Sequence, residues 1–223
     1  QKIGLGHEVA GEVVKIGAKV TKFKVGDKVL IEPGVPDDTC EYCRTGRYNI
    51  CPGVDFMEHS RTIKGRLTQY MTHPEEWTYH IPEGMTTMEG ALVEPAAVGM
   101  HAAVLGGAQP GKSIVILGGG TIGLMVLQAC ISLGATDITV VDVIEKRLEL
   151  AKKLGAARVI NGKEEDTVAV LRSEEMYGDH GVDLVFEAAG AVFTAQQAVQ
   201  IVSRGGKIMM VGTQSKPVPI DFL

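Results

Sequence analysis

The sequence predicts an α/β chain in two parts, an irregular and mostly β first part followed by a doubly wound parallel sheet, and three observations predict it. Residues 1 to about 90 carry short β-branched runs broken by Gly, Pro and Asp, as in Val9 to Ile16 and Lys28 to Ile31, with no long helix written among them. From about residue 110, short apolar runs alternate with helical periodicity, the pattern of parallel strands joined by crossover helices. A glycine-rich turn follows the first of those apolar runs. The parts are expected to divide into residues 1–92 and 93–223. No polar linker or low-complexity tract separates them, so tight packing with a cleft between them is expected.

In the second part, strands are expected at Ser113 to Leu117, Asp137 to Val141, Arg158 to Ile160, Asp183 to Glu187 and Lys207 to Val211, with helices between. In the last helix Ala195, Ala198, Val199 and Val202 fall at i, i+3, i+4 and i+7 and make one apolar stripe, which Gly205 and Gly206 then stop. Gly118, Gly120 and Gly123 form G-x-G-x-x-G between the first strand and a helix running to about Leu133. This is the dinucleotide-binding, Rossmann-type fingerprint. The first glycine permits the tight turn, the second lets backbone approach a pyrophosphate, and the third lets helix and strand pack closely. Thr121 and Ile122 open the helix whose N-terminal amides would face the anion. Asp142 ends the next strand, where a carboxylate can accept from the adenosine ribose hydroxyls and repel a 2′-phosphate, which favours NAD over NADP. Arg147 either lies near adenine or is a solvated cation on the helix Glu145 to Lys153.

Composition narrows the function classes. Hydrophobic residues make up 45% of the 223, and no run approaches the ~20 apolar residues that span a bilayer. With 22 basic against 27 acidic residues the net charge is -5, which opposes a nucleic-acid backbone partner and suits a small-molecule substrate. Three of the four cysteines, Cys40, Cys43 and Cys51, stand as C-x2-C-x7-C, which suggests metal ligation in a reducing cytoplasm more than a disulfide framework. The fourth, Cys130, sits in an apolar helical stretch and reads as a buried small hydrophobe. The chain opens at Gln1 without a methionine, so its natural start is expected upstream.

Gly6, His7, Glu8, Gly11 and Gly17, followed by Gly26, Asp27 and Val29, give G-H-E-x-x-G-x5-G and then G-D-x-V. A His beside a carboxylate offers Zn2+ a nitrogen and an oxygen, although a lone His is as readily a core residue. With this pattern the chain resembles the zinc-containing medium-chain dehydrogenase family over essentially its whole length. The resemblance implies a GroES-like catalytic domain ahead of the Rossmann domain, both incomplete, with His7 on the catalytic zinc and Glu8 beside it. It also implies a cysteine ligand with a hydroxyl residue behind it, upstream of Gly6. Leu92, Val93, Glu94 and Pro95, with Glu32 to Pro36 and Gly46 to Asn49, resemble the sorbitol and xylitol dehydrogenase branch. That branch implies Glu94 at the zinc, against its plainer reading as an acid at a helix N-terminus.

Cys40, Cys43 and Cys51 resemble three ligands of the family's structural zinc lobe. Asp37 stands where the first cysteine would be, so the lobe is either a zinc site with one carboxylate or a loop with three free thiols. Backbone around Val211, Gly212 and Thr213 is implied at the nicotinamide. Phe56 either walls the substrate pocket or simply packs. The resemblance further implies a homo-oligomer, dimer or tetramer, at full length. The expected activity is hydride transfer between a secondary alcohol or polyol and NAD. Butanediol, threonine or sugar-acid dehydrogenases of the same family, a zinc-free enone or quinone reductase, and a non-catalytic zinc module are the competing readings. Because the expected strand order 3-2-1-4-5-6 leaves Lys207 to Val211 at an open edge, the 223 residues alone are expected to be poorly soluble or inactive.

Overall fold

The computed structural model describes residues 5–57 and 67–220, and divides into two compact units, Gln1–Glu94 and Pro95–Leu223. In the first unit β1 (Ala10–Glu12), β2 (Lys28–Ile31) and β5 (Thr78–His80) form an antiparallel sheet in the order β1-β2-β5. A second pair, β3 (Gly34–Val35) and β4 (Asp55–Phe56), brackets a loop carrying the short helix α1 (Glu41–Arg44). The run from Val9 to Ile16 pairs only over β1. Past Glu12 the chain leaves the sheet to bond the turn before β2, with Val13 N–H donating to Asp27 O and Gly26 N–H to Val13 O. Helix α2 (Thr87–Ala91) opens on a full capping box, Thr86 accepting from Glu89 N–H while the Glu89 carboxylate accepts from Thr86 N–H. Its Gly90 lies so near Ile81 that an added Cβ would stand 2.6 Å from that side chain, and so α2 is seated directly on the small sheet.

Helix α3 (Val93–Gly106) carries Glu94 and Pro95 in its first turn, a position where proline's missing N–H costs nothing. Five parallel strands follow: β6 (Ser113–Leu117), β7 (Asp137–Asp142), β8 (Arg158–Asn161), β9 (Val182–Glu187) and β10 (Val202–Met210). They lie in the order β10-β9-β6-β7-β8, the doubly wound arrangement that the sequence predicts. Alternate side chains feed two cores. Ile114, Ile116, Ile138, Val140, Leu184 and Phe186 face α3, α4 (Thr121–Ser132) and α5 (Glu145–Lys153), whereas Val115, Leu117, Val141, Val182 and Val185 face α6 (Thr167–Leu171) and α7 (Val192–Ile201). Burial of each such side chain contributes roughly 1.5–3 kcal/mol, so the sheet's two covered faces hold it together.

One local expectation needs correction. Helix α7 ends at Ile201, before Gly205 and Gly206, and its buried face runs through Ala195, Ala198 and Ile201, while Val202 already belongs to β10. The two glycines lie inside that strand, where the register against β9 shifts between Val202 and Lys207 and Gly205 takes φ +76°. They shape a bulge in place of a helix stop. Among the described residues no helix is long and apolar enough to cross a membrane.

Candidate functional site

Three groups of side chains stand out, two in the first unit and one in the second. His7 and Glu8 precede β1, and Glu94 lies in the first turn of α3, yet one ligand atom from each of the three lies within 4.8 Å of the others. His7 Nε2 is 4.0 Å from Glu94 Oε2. Burial pushes the Glu94 carboxyl upward, the neighbouring His7 opposes that shift, and the nearby Glu8 adds to it. Glu94 is thus both the acid at a helix start and a member of the cluster. The Phe56 ring stands 5.5 Å from the His7 ring, tilted by 56°, and the β3–β4 pairing delivers it there. A nitrogen and two carboxylates converging in this way fit Zn2+ with room for further ligands.

Asp37, Cys40, Cys43 and Cys51 form the second group, again with ligand atoms within 4.8 Å of one another. Asp38 takes φ 57°, which folds the loop so that Asp37 points back toward Cys40. Cys40 caps α1 and its Sγ accepts from Cys43 N–H at 3.4 Å; the two sulfurs are also 3.4 Å apart. Backbone N–H groups of Thr39 and Cys40 hold the Asp37 carboxyl at about 2, whereas burial and the neighbouring Cys40 and Cys51 sulfurs push the Cys43 thiol up to about 12. A cation among the four would favour the ionised form of the Cys43 thiol that burial opposes. Three sulfurs and one oxygen fit zinc in tetrahedral geometry. Sequence reading missed Gly53, where a Cβ would stand 2.7 Å from Asp37 Oδ2, so a glycine is what leaves the carboxylate its place.

The third group lies at the carboxyl ends of β6, β7 and β9, where the strand order reverses and doubly wound sheets bind their ligands. Gly118 takes φ 110°, and a Cβ on it would meet Ala189 N at 2.7 Å. On Gly123 a Cβ would fall 1.8 Å from Gly118 O, so the close approach of α4 to β6 admits only glycine. Gly120 caps α4 and differs from both, because a Cβ there would meet nothing within 4 Å, leaving the helix N-terminus open to an anion. Thr121 is exposed and Ile122 half-buried in the first turn. Asp142 is buried at the end of β7; its Oδ2 accepts from Gly119 N–H at 2.7 Å and its Oδ1 from Val143 and Ile144 N–H. Arg147, half exposed, places its Nη1 3.4 Å from Asp142 Oδ2. Val211 and Gly212 donate their N–H groups to Glu187 O, which lays the segment through Thr213 against the turn after β9. Cys130 is fully buried in α4, where desolvation pushes its thiol up to about 12, away from any ligand role.

These folds and donor sets define the class, a GroES-like metal-binding domain followed by a Rossmann-type nucleotide-binding domain. The alcohol dehydrogenase GroES-like domain model matches residues 1–83, and the zinc-binding dehydrogenase model matches residues 121–223. The chain belongs to the zinc-containing medium-chain alcohol dehydrogenase family. It is 60% identical over 223 residues to an uncharacterized zinc-type alcohol dehydrogenase-like protein, YdjJ, of Escherichia coli K12, covering 100% of the chain and 64% of that protein. It is 41% identical over 222 residues to a sorbitol dehydrogenase of Bacillus subtilis, covering 98% of the chain and 62% of the relative. A crystal structure of an Escherichia coli oxidoreductase of unknown specificity superimposes with a TM-score of 0.96 at 58% identity, over 100% of the chain and 63% of that structure. The chain therefore spans under two thirds of the length of these relatives.

Proposed function

We propose that a protein carrying this chain at the length of its relatives transfers hydride between a secondary alcohol of the polyol type and NAD, at a zinc held by His7, Glu8 and Glu94. The convergence of those three residues from distant parts of the sequence is the observation that carries the reading. When bound, zinc would supply Lewis acidity toward an alcohol oxygen and the nicotinamide would supply a hydride acceptor. His7 offers the metal a nitrogen, and Glu94 and Glu8 offset its charge. Phe56 presents an apolar ring beside His7, suited to keeping water from the carbinol carbon. Gly120 leaves room for the pyrophosphate, with Thr121, Ile122 and Gly123 continuing the helix whose amides face it. The Asp142 carboxylate at the end of β7 supports NAD over NADP, because a 2′-phosphate would meet its negative charge. Val211, Gly212 and Thr213 line the same end of the sheet. The polyol assignment draws on the Bacillus subtilis sorbitol dehydrogenase and on the Glu94 segment.

Asp37, Cys40, Cys43 and Cys51 are proposed to hold a second, structural zinc. Asp37→Cys is then expected to slow zinc loss to a chromogenic chelator, because thiolate suits zinc in a sulfur-rich site better than carboxylate does. Asp37→Ala is expected to speed it. Equal release from all three proteins would remove Asp37 from the ligand set. The functional test is a kinetic screen of the zinc-loaded, full-length protein with NAD and sorbitol, xylitol, galactitol and 2,3-butanediol. Turnover of at least one polyol, lost on stripping zinc, is expected. Failure with every secondary alcohol while zinc is retained would contradict the assignment.

A further inference from the structure

Glu187 is a fully buried carboxylate ending the inner strand β9, after the buried run Leu184 to Phe186, and all four donors that reach its side chain are neutral. Its Oε1 accepts from Ala189 N–H at 3.0 Å, Gly190 N–H at 2.9 Å and the Thr194 hydroxyl at 2.7 Å. Its Oε2 accepts from Gln214 Nε2 at 3.0 Å, and its backbone oxygen accepts from both Val211 and Gly212 N–H at 2.8 Å. Burying an acceptor of this strength is costly unless every lone pair is met, so an apolar residue would serve the core more cheaply. What Glu187 gains is control of loops. It ties the turn after its own strand to the first turn of α7 and to the segment after β10, and these segments lie at van der Waals limits. A Cβ on Gly212 would stand 2.4 Å from Gly190 N, and one on Gly118 would stand 2.7 Å from Ala189 N.

We propose that Glu187 is the positioning residue of the nucleotide site, setting the Val211–Gln214 segment against the Ala188–Gly190 turn, with Gln214 as its matched partner. This rests on the nucleotide-site reading above. Glu187 touches no cofactor in this account; it acts through the loops it holds. Gln214 is half-buried at the end of the tether, so it can be changed without opening the core. Gln214→Glu sets two carboxylates against each other and releases the segment. The swap Glu187→Gln with Gln214→Glu returns one amide and one carboxylate to the pair.

The experiment measures NADH and AMP affinities for the full-length protein and these variants. AMP engages only the Gly118–Asp142 end, whereas NADH spans both. Q214E is expected to weaken NADH binding about tenfold with AMP affinity little changed, the loss of one hydrogen bond to a charged group, and the swap is expected to restore most of the NADH affinity. Unchanged NADH binding in Q214E, equal loss of NADH and AMP, or a swap no better than Q214E would each overturn the inference. If the unaltered protein bound neither nucleotide, the nucleotide-site reading itself would fall.

Discussion

Replacing Gly123 by alanine is expected to abolish detectable NADH binding and to destabilise the nucleotide-binding domain together. The new Cβ would lie 1.8 Å from Gly118 O and 3.0 Å from Gly118 C, both backbone atoms that no rotamer change can move. Helix α4 must retreat from β6, which costs more than the ~1–3 kcal/mol typical of an overpacked core and takes the helix N-terminus away from the phosphate position. Gly120→Ala supplies the contrast. Its Cβ would meet nothing within 4 Å, so folding should be nearly unaffected while the methyl occupies the approach of the pyrophosphate. Denaturant unfolding and NADH fluorescence titration on the two variants check the pair. A Gly123→Ala protein that binds NADH normally, or a Gly120→Ala protein that also does so, would contradict the assigned geometry.

His7→Ala is expected to lower turnover about a thousandfold or more, equivalent to the loss of ~4 kcal/mol of charge stabilisation at the alcohol oxygen. It should also remove one zinc per chain while leaving the cysteine lobe loaded. Stability should change little, since the His7 side chain is about a third exposed and its ring contact with Phe56 is a tilted one at 5.5 Å. Elemental analysis beside the kinetic assay separates metal loss from unfolding. Full zinc content in the variant would take His7 out of the ligand set.

Much of the sheet was legible because each strand is an apolar run bounded by turn residues. Ser113 to Leu117 and the helix Glu145 to Lys153 were read to the residue, for in both the pattern and its boundaries coincide. Helix α3 was harder. It turns Gly99, Ala102, Ala103 and Gly106 inward and leaves Val104 and Leu105 exposed, so its small residues, chosen for close approach, hide the amphipathic stripe. Gly99 shows the reason, since a Cβ there would stand 2.6 Å from Met125 C. The capping box at Thr86 and Glu89 was not read, for it belongs to a helix of five residues, too short for periodicity to register.

The site divides in the same way. His7, Glu8, Asp37 and the three cysteines announce themselves by spacing, and in the structure the candidate donor atoms of each set, Glu94 included, lie within 4.8 Å of one another. Glu187, Gln214 and Gly53 carry no such mark. Glu187 looked like the polar end of a strand, and only the fold reveals that the carboxylate turns inward and meets Gln214 at a separation of 27. Arg147 was read as either near adenine or a solvated cation, and its contact with Asp142 joins the first turn of α5 to the end of β7, which a list of charges does not show.

The most direct measurement is an anomalous difference map at the zinc edge from crystals of the full-length, zinc-loaded protein. Two peaks are expected, one bounded by His7, Glu8 and Glu94 and one among Asp37, Cys40, Cys43 and Cys51. A map with density only in the cysteine lobe would contradict the account at its centre.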